Sequence, residues 1–128
     1  MIKSLGDRTP VPILIRVSVP ITFNLTYSYY MKQTSEYIDL IKAHADELRT
    51  QFGVKTLRLF GSVSRGEQHE GSDVDVCVEM EPRIYLLVRL QRYLEQLLMC
   101  HVDVVHMHRH INPYLLKHIE RDGIYVIR

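Results

Sequence analysis

Two short runs with apolar side chains at alternate positions constrain the fold of this chain more than any other feature. Residues 54–60, VKTLRLF, place two leucines two positions apart, and residues 74–80, VDVCVEM, do the same with three valines. This spacing is typical of β-strands whose two faces meet different surroundings. Residues 101–107, HVDVVHM, predict a third strand, and residues 124–127, IYVI, predict a short edge strand.

Three segments combine helical spacing with suitable first and last residues: 34–53, 82–99 and 112–123. We expect Thr34 or Ser35 to cap the first helix and Gly53 to end it. We expect Asn112 to cap the third helix and Gly123 to stop it. The order helix, strand, turn, strand, helix, strand, helix predicts an α/β fold in which helices cover the apolar face of the sheet.

Residues 1–30 differ from the rest of the chain. Segment 9–30 contains three prolines and shows no helical periodicity. We therefore expect a flexible N-terminal extension, or sequence upstream of a native start at Met31. A secretory signal is a weaker interpretation, because Arg16 and Pro20 interrupt the apolar run. The remaining residues, 31–128, are long enough for one domain with one core.

Charge and cysteine content exclude several classes of protein. The formal net charge is +1, which provides no electrostatic drive for bulk binding to nucleic acid or acidic lipid. No apolar run approaches the roughly 20 residues that cross a bilayer. The two cysteines, Cys77 and Cys100, do not form a disulfide framework, which favours a reduced compartment. We therefore expect a cytoplasmic protein without a direct nucleic-acid or membrane partner.

The turn after the first strand has the sequence GSVSRG, residues 61–66. Gly61 and Gly66 allow the backbone to bring N–H groups close to an anion, and Ser62 adds a hydroxyl donor. Arg65 adds a forked cation suited to phosphate oxygens. Such a turn alone more often only connects two strands. Ser72, just before the next strand, is included in the same predicted nucleotide site.

Asp73 and Asp75 lie two positions apart, so in an extended chain their side chains share a face. Such a pair alone is usually solvated, but carboxylates together with substrate phosphates are the ligands that magnesium prefers. Asp103 stands inside an apolar run, where an unpaired buried carboxylate is costly. If its strand lies beside residues 74–80, Asp103 shares the same ions and can accept the proton of an acceptor hydroxyl. These acids predict a metal-dependent site for a nucleoside triphosphate.

Segments 61–66 and 72–75, together with VDVV at 102–105 and the closing NPYLLKHIERDGIYVI, resemble the nucleotidyltransferase superfamily of DNA polymerase β. More closely, residues 32–128 resemble the minimal nucleotidyltransferases, the MntA-type antitoxins that are paired with HEPN toxins. The N-terminal thirty residues depart from that family. The resemblance implies a small mixed β-sheet with helices packed mainly on one face.

The resemblance also implies a chemistry. It places two Mg²⁺ ions on Asp73, Asp75 and Asp103, and triphosphate contacts on Gly61 and Ser62. Members of that family transfer AMP from ATP to a tyrosine of an RNA-cleaving HEPN toxin and thereby silence it. For this chain we therefore expect ATP as substrate and a hetero-oligomer with a toxin. The choice of ATP depends on the resemblance alone.

The acceptor is less constrained by the residues. The helix at 82–98 is apolar over a wider arc than one buried face requires, so a second copy or a partner helix is expected to cover it, unless the helix at 112–122 does. An alternative acceptor is a small hydroxylated molecule such as an aminoglycoside, which needs an acidic cleft; only Glu67, Glu70 and Glu79 are available nearby. Another alternative is an antitoxin that masks its toxin without catalysis.

One further pattern is the histidine run at residues 106–110. His106, His108 and His110 share a side in an extended chain, as metal ligands do. A polar strand end explains them equally well, and we do not expect a metal site there.

Overall fold

The structure is a computed structural model that describes residues 32–69 and 71–128. The predicted N-terminal extension, residues 1–30, lies outside the described residues, so its interpretation stays a prediction. In chain order the elements are α1 (Thr34–Ala43), α2 (Ala45–Phe52), β1 (Thr56–Phe60), α3 (Gly61–Ser64), β2 (Val74–Glu79), α4 (Ile84–Leu98), β3 (Val102–His106), α5 (Pro113–Asp122) and β4 (Ile124–Ile127).

The four strands form one mixed sheet in the order β3-β2-β1-β4. β1 pairs antiparallel with β2 and β4, while β2 and β3 run parallel. A parallel pair requires a crossover connection, and α4 provides it between β2 and β3. The prediction of a small mixed α/β sheet is confirmed.

The two faces of the sheet bury different side chains because strand residues alternate. Val74, Val76 and Val78 of β2 are all fully buried in the main core. Asp75 and Cys77 therefore lie on the opposite face. The alternation that predicted this strand is confirmed.

Helices cover the two faces unequally. Buried residues of α1, α2 and α4, among them Ile41, Leu48 and Leu94, join the main core. On the other face, Ile119 of α5 forms a smaller cluster with Phe60 and Cys77. The predicted packing of helices mainly on one face is confirmed, with α5 as the helix that lies opposite.

The prediction of one continuous helix over residues 34–53 is wrong, because the segment breaks at His44. Its backbone leaves the helical region at φ −112° and ψ 17°. The His44 ring nitrogen Nδ1 lies 2.9 Å from the carbonyl oxygen of Leu40, so the side chain bonds within the break. The predicted end is confirmed, since Gly53 adopts φ +71° after α2.

The predicted cap of that helix is also wrong. Gln33 takes the cap position, and its N–H donates to Glu36 Oε1 at 2.6 Å. Thr34 instead donates its hydroxyl to the carbonyl oxygen of Val63 at 2.6 Å. This bond links the start of α1 to the glycine-rich turn.

The predicted ends of the last helix are confirmed. Asn112 Oδ1 accepts hydrogen bonds from the N–H of Tyr114 at 2.8 Å and of Leu115 at 3.3 Å. Gly123 follows the last turn, and its N–H donates to the carbonyl oxygen of Ile119 at 2.7 Å.

Most of the wide apolar arc of α4 is covered within the domain. Leu90, Leu94 and Leu98 are fully buried. The second stripe packs against α2, where the Tyr93 ring lies 5.3 Å from the Phe52 ring. It is therefore α2, and not the helix at 112–122, that lies beside this stripe.

The amino-terminal part of α4 stays exposed. Ile84, Tyr85 and Val88 are 75%, 53% and 43% exposed. Positions 84 and 88 are one helical turn apart, so these side chains form one apolar patch, called here the α4 patch. Among the helices of the described residues, none combines the length and the hydropathy needed to cross a bilayer.

Candidate active site

Asp75 and Asp103 are paired positions on the parallel strands β2 and β3. Both side chains therefore point to the sheet face that carries α5, and Asp73 stands one residue before β2. The carboxylate of Asp75 interacts with those of both Asp73 and Asp103. The structure brings the three predicted acids together, and their roles in catalysis stay predictions.

The pKa of the Asp75 carboxyl is raised in the folded protein. Partial burial, and after it the neighbouring charges of Asp103 and Asp73, raise its pKa from the usual 3.8 to about 6. Like charges held this close repel each other, and a bound cation relieves the repulsion. Carboxylate oxygens are also the donors that Mg²⁺ takes. The residues therefore fit the divalent ion that the sequence predicts.

The glycine-rich turn lies against these acids. Gly61 has φ +78°, and a Cβ at this position would overlap with Asp75 Oδ2 and lie 3.2 Å from its Cγ. Only glycine gives the backbone both this conformation and this close approach. Residues 61–64 then form the single helical turn α3, which buried Val63 anchors and on which Ser62 lies half-buried. The predicted turn thus lies directly beside the predicted acids, and their joint role as one site stays a prediction.

Arg65 is not free in the structure. Its Nη1 lies 2.7 Å from Asp122 Oδ2 and its Nε lies 2.9 Å from Glu67 Oε1. The Asp122 side chain is only 6% exposed, and the hydrogen bonds from Arg121 and Arg65 lower its pKa to about 2. The guanidinium that was predicted to contact phosphate thus anchors the turn to the end of α5.

The other two predicted nucleotide contacts have structural positions of their own. Gly66 adopts φ +71° at the end of the turn. Ser72 closes the loop before β2, because its Oγ accepts from the N–H of His69 at 2.8 Å and its own N–H donates to the His69 carbonyl oxygen at 2.9 Å. Contacts from Gly66 or Ser72 to a nucleotide stay predictions.

Sequence reasoning missed His101, which precedes β3. Its Nδ1 lies 3.4 Å from Asp73 Oδ1 and 3.8 Å from Asp103 Oδ1. Ligand atoms of these three residues all lie within 4.8 Å of one another, and no other group of three potential metal ligands occurs in the described residues. The signal was present, since His101 and Asp103 are two apart and share a strand face.

Side chains of the histidine run near residue 106 take part in hydrogen bonds with the backbone. The His106 Nε2 lies 2.9 Å from the carbonyl oxygen of Met80. His108 Nδ1 accepts the N–H of His110 at 3.1 Å. These bonds agree with the polar strand end that the sequence suggested.

The acids that a small cationic acceptor would need are dispersed. Glu67 pairs with Arg65, and Glu79 accepts the Thr56 hydroxyl at 2.7 Å at the far end of β2. Glu70 lies outside the described residues. Glu67 and Glu79 therefore do not line one acidic cleft with the aspartates.

The nucleotidyltransferase domain family matches residues 41–126, which include both the turn and the three acids. The chain belongs to this family. The prediction of a nucleotidyltransferase enzyme is confirmed.

Within this family, the chain is similar to protein adenylyltransferases and minimal nucleotidyltransferases. The protein adenylyltransferase MntA of Thermococcus cleftensis is 39% identical over 98 residues, which cover 75% of this chain and 98% of that protein. A solved structure described as a minimal nucleotidyltransferase is 33% identical in sequence, with a TM-score of 0.60. The match covers 73% of this chain and 95% of that chain. A toxin–antitoxin structure with AMP-PNP is 25% identical in sequence, with a TM-score of 0.56. The match covers 66% of this chain and 71% of that chain.

Proposed function

We propose that this protein is a magnesium-dependent adenylyltransferase that transfers AMP from ATP to a tyrosine of a cognate HEPN ribonuclease toxin. It acts as the antitoxin of that pair in the cytoplasm. The observation that carries the proposal is the pairing of Asp75 with Asp103 across β2 and β3, with Asp73 beside them. The adenylyltransferase MntA among its relatives supports AMP as the transferred group, and the neighbour with AMP-PNP supports ATP as its source.

In this proposal the three acids bind the metal ions, and the glycine-rich turn binds the triphosphate. Asp73, Asp75 and Asp103 hold two Mg²⁺ ions, which supply charge neutralisation at the α-phosphate when they are bound. Gly61 and Ser62 present donors to the triphosphate, and the absence of a Cβ at Gly61 keeps this surface close to Asp75.

The transfer step balances as a displacement at phosphorus. The tyrosine oxygen forms a bond to the α-phosphorus, the bond to the β-phosphate oxygen breaks, and pyrophosphate leaves. Asp103 accepts the phenol proton at a carboxylate oxygen. Positioning and charge stabilisation are the main contributions of a protein to this class of reaction.

A protein acceptor agrees with the surface of the domain. The α4 patch exposes Ile84, Tyr85 and Val88 together, and apolar side chains exposed in a group mark contact sites for other proteins. We propose that the toxin covers this patch. The dispersed positions of Glu67 and Glu79 speak against a small cationic acceptor.

The direct test mixes the purified protein with ATP, Mg²⁺ and the product of the neighbouring gene, where we expect the toxin, followed by intact-mass and peptide mass spectrometry. We expect an increment of about 329 Da, one AMP, on a toxin tyrosine, and none with Asp75→Asn. An increment on an aminoglycoside and none on the toxin would contradict the protein acceptor. Full neutralisation of the toxin by an Asp73→Asn, Asp75→Asn double variant would favour masking without catalysis.

A further inference from the structure

His101 is held firmly although its side chain is exposed. Its carbonyl oxygen accepts the N–H of Val74 at 3.0 Å, which fixes the backbone between the starts of β2 and β3. The residue lies two positions before Asp103, so its ring projects toward the same face of the sheet. The ring is therefore directed at the acidic group by the sheet itself.

The distances from its Nδ1 to the two carboxylates are longer than hydrogen bonds and near the separation of ligands on one metal ion. The oxygens of Asp73 and Asp103 lie 3.4 Å and 3.8 Å away, beyond the usual range of about 2.7 to 3.2 Å for an N–H···O bond. Ligands about 2.1 Å from a tetrahedral ion are roughly 3.4 Å apart. A nitrogen and two oxygens thus lie within 4.8 Å of one another, near enough for one divalent cation to bind all three after small side-chain rotations.

A carboxylate also lies near the second ring nitrogen. Nε2 lies 3.8 Å from Glu95 Oε2, and the same oxygen accepts the N–H of Val102 at 3.3 Å. At 3.8 Å this contact is longer than a hydrogen bond, so it does not fix the tautomer of the ring. The negative charge of Glu95 nevertheless favours positive charge on or next to the ring, including a cation bound at Nδ1.

We infer that His101 is a direct metal ligand together with Asp73 and Asp103, and that it raises the affinity of this site for transition-metal dications above what the acids alone would give. Imidazole suits transition metals, whereas Mg²⁺ takes oxygen ligands. The inference rests on the proposed function in one respect, namely that Asp73 and Asp103 are metal ligands. It adds a ligand, and with it a selectivity, that the three acids alone do not provide.

The test measures metal binding and not activity. Wild type, His101→Ala, Glu95→Gln and Asp103→Asn are titrated with Mg²⁺ and Co²⁺ by calorimetry, with no nucleotide present. His110→Ala is the matched control, since His110 is exposed and lies outside the cluster. We expect His101→Ala to weaken Co²⁺ binding at least about 10-fold and Mg²⁺ binding less than about 3-fold, with Glu95→Gln in between for Co²⁺.

Pulsed electron paramagnetic resonance of bound Mn²⁺ gives a second readout. A directly bound imidazole couples its nitrogen to the ion, so we expect this coupling in wild type and in His110→Ala but not in His101→Ala. Equal weakening of Mg²⁺ and Co²⁺ in His101→Ala, or unchanged nitrogen coupling, overturns the inference.

The outcomes also separate this inference from the proposed function. If Asp103→Asn loses both metals while His101→Ala behaves like His110→Ala, the acidic metal site stands and the histidine ligand is wrong. If Asp103→Asn binds both metals as wild type does, the metal site on which the proposed function depends is wrong as well.

Discussion

Asp75 and Asp103 are directly paired on the parallel strands β2 and β3. Their carboxylates repel each other, and this repulsion contributes to the raised pKa of Asp75. A protein that only needed a stable sheet would gain by replacing either residue, because like charges on paired strand positions are destabilising. The site is thus maintained at a cost to the fold.

The first prediction concerns Asp75→Asn. We expect this variant to lose AMP transfer at least about 100-fold, because each metal-bound carboxylate supports several kcal/mol of transition-state stabilisation. We also expect it to unfold at a higher temperature than wild type when divalent ions are removed with a chelator at pH 7. Calorimetric unfolding and mass-spectrometric transfer assays measure the two effects.

The same variant tests the titration of Asp75. Its pKa in the folded state, about 6, lies above the ordinary value of 3.8. The folded state therefore retains the proton to a higher pH than the unfolded chain does. The contribution of Asp75 to the stability of the metal-free protein should be fully present below about pH 4 and be lost as the pH rises through 6. Asp75→Asn should show a smaller fall, and an identical pH profile in both proteins would contradict this account.

The second prediction concerns Gly61→Ala. The methyl group would overlap with Asp75 Oδ2, and the alanine backbone would have to adopt a φ of +78°. Gly53→Ala is the matched control, since Gly53 has φ +71° but nothing within 4 Å of the added Cβ. Both variants should lose about 1 to 3 kcal/mol of unfolding free energy through backbone strain. Only Gly61→Ala should also lose AMP transfer, so equal activity of the two would exclude the close approach as a requirement.

The third prediction concerns the ion pair between Arg65 and Asp122. We expect Asp122→Asn to unfold more readily than wild type at pH 7, because the turn loses its anchor on α5. The pKa of Asp122 is lowered to about 2, so its contribution is present above about pH 4 and is lost as the pH falls through 2. The difference between the two proteins should shrink over that range in pH-dependent unfolding.

Asp46→Asn is the control for that ion pair. Asp46 Oδ1 lies 3.6 Å from Arg49 Nη1 in a pair at the surface, and such pairs contribute little. A loss of stability as large as that of Asp122→Asn would show that any removed surface charge has this effect.

The fourth prediction concerns the α4 patch. The double variant Ile84→Glu, Val88→Glu places two charges on the apolar surface and should weaken binding of the toxin at least about 10-fold in calorimetry. ATP binding should not change, because the patch is separate from the acids. Gln96→Glu, an exposed polar position of the same helix, is the control. Unchanged toxin binding by the double variant would place the interface elsewhere.

Local chemistry was readable from the chain because it depends on short spacings. Because side chains of a strand alternate between its two faces, Asp73 and Asp75 share one face, and the buried valines lie on the other. The cap at Asn112 and the positive φ at Gly53 follow from the conformations that these side chains favour. The break at His44 was missed, because its bond to Leu40 competes with a helical pattern that is otherwise continuous.

Contacts between residues that are distant in the chain could not be predicted in the same way. Sequence determined the strands, the glycine turn and the two neighbouring acids, since period and backbone freedom are local properties. Tertiary structure decided that β3 lies beside β2, that His101 meets Asp73, and that Asp122 holds Arg65 from 57 residues away. These contacts depend on how a crossover helix and a sheet pack together, and the free energy of that packing is distributed over the whole core.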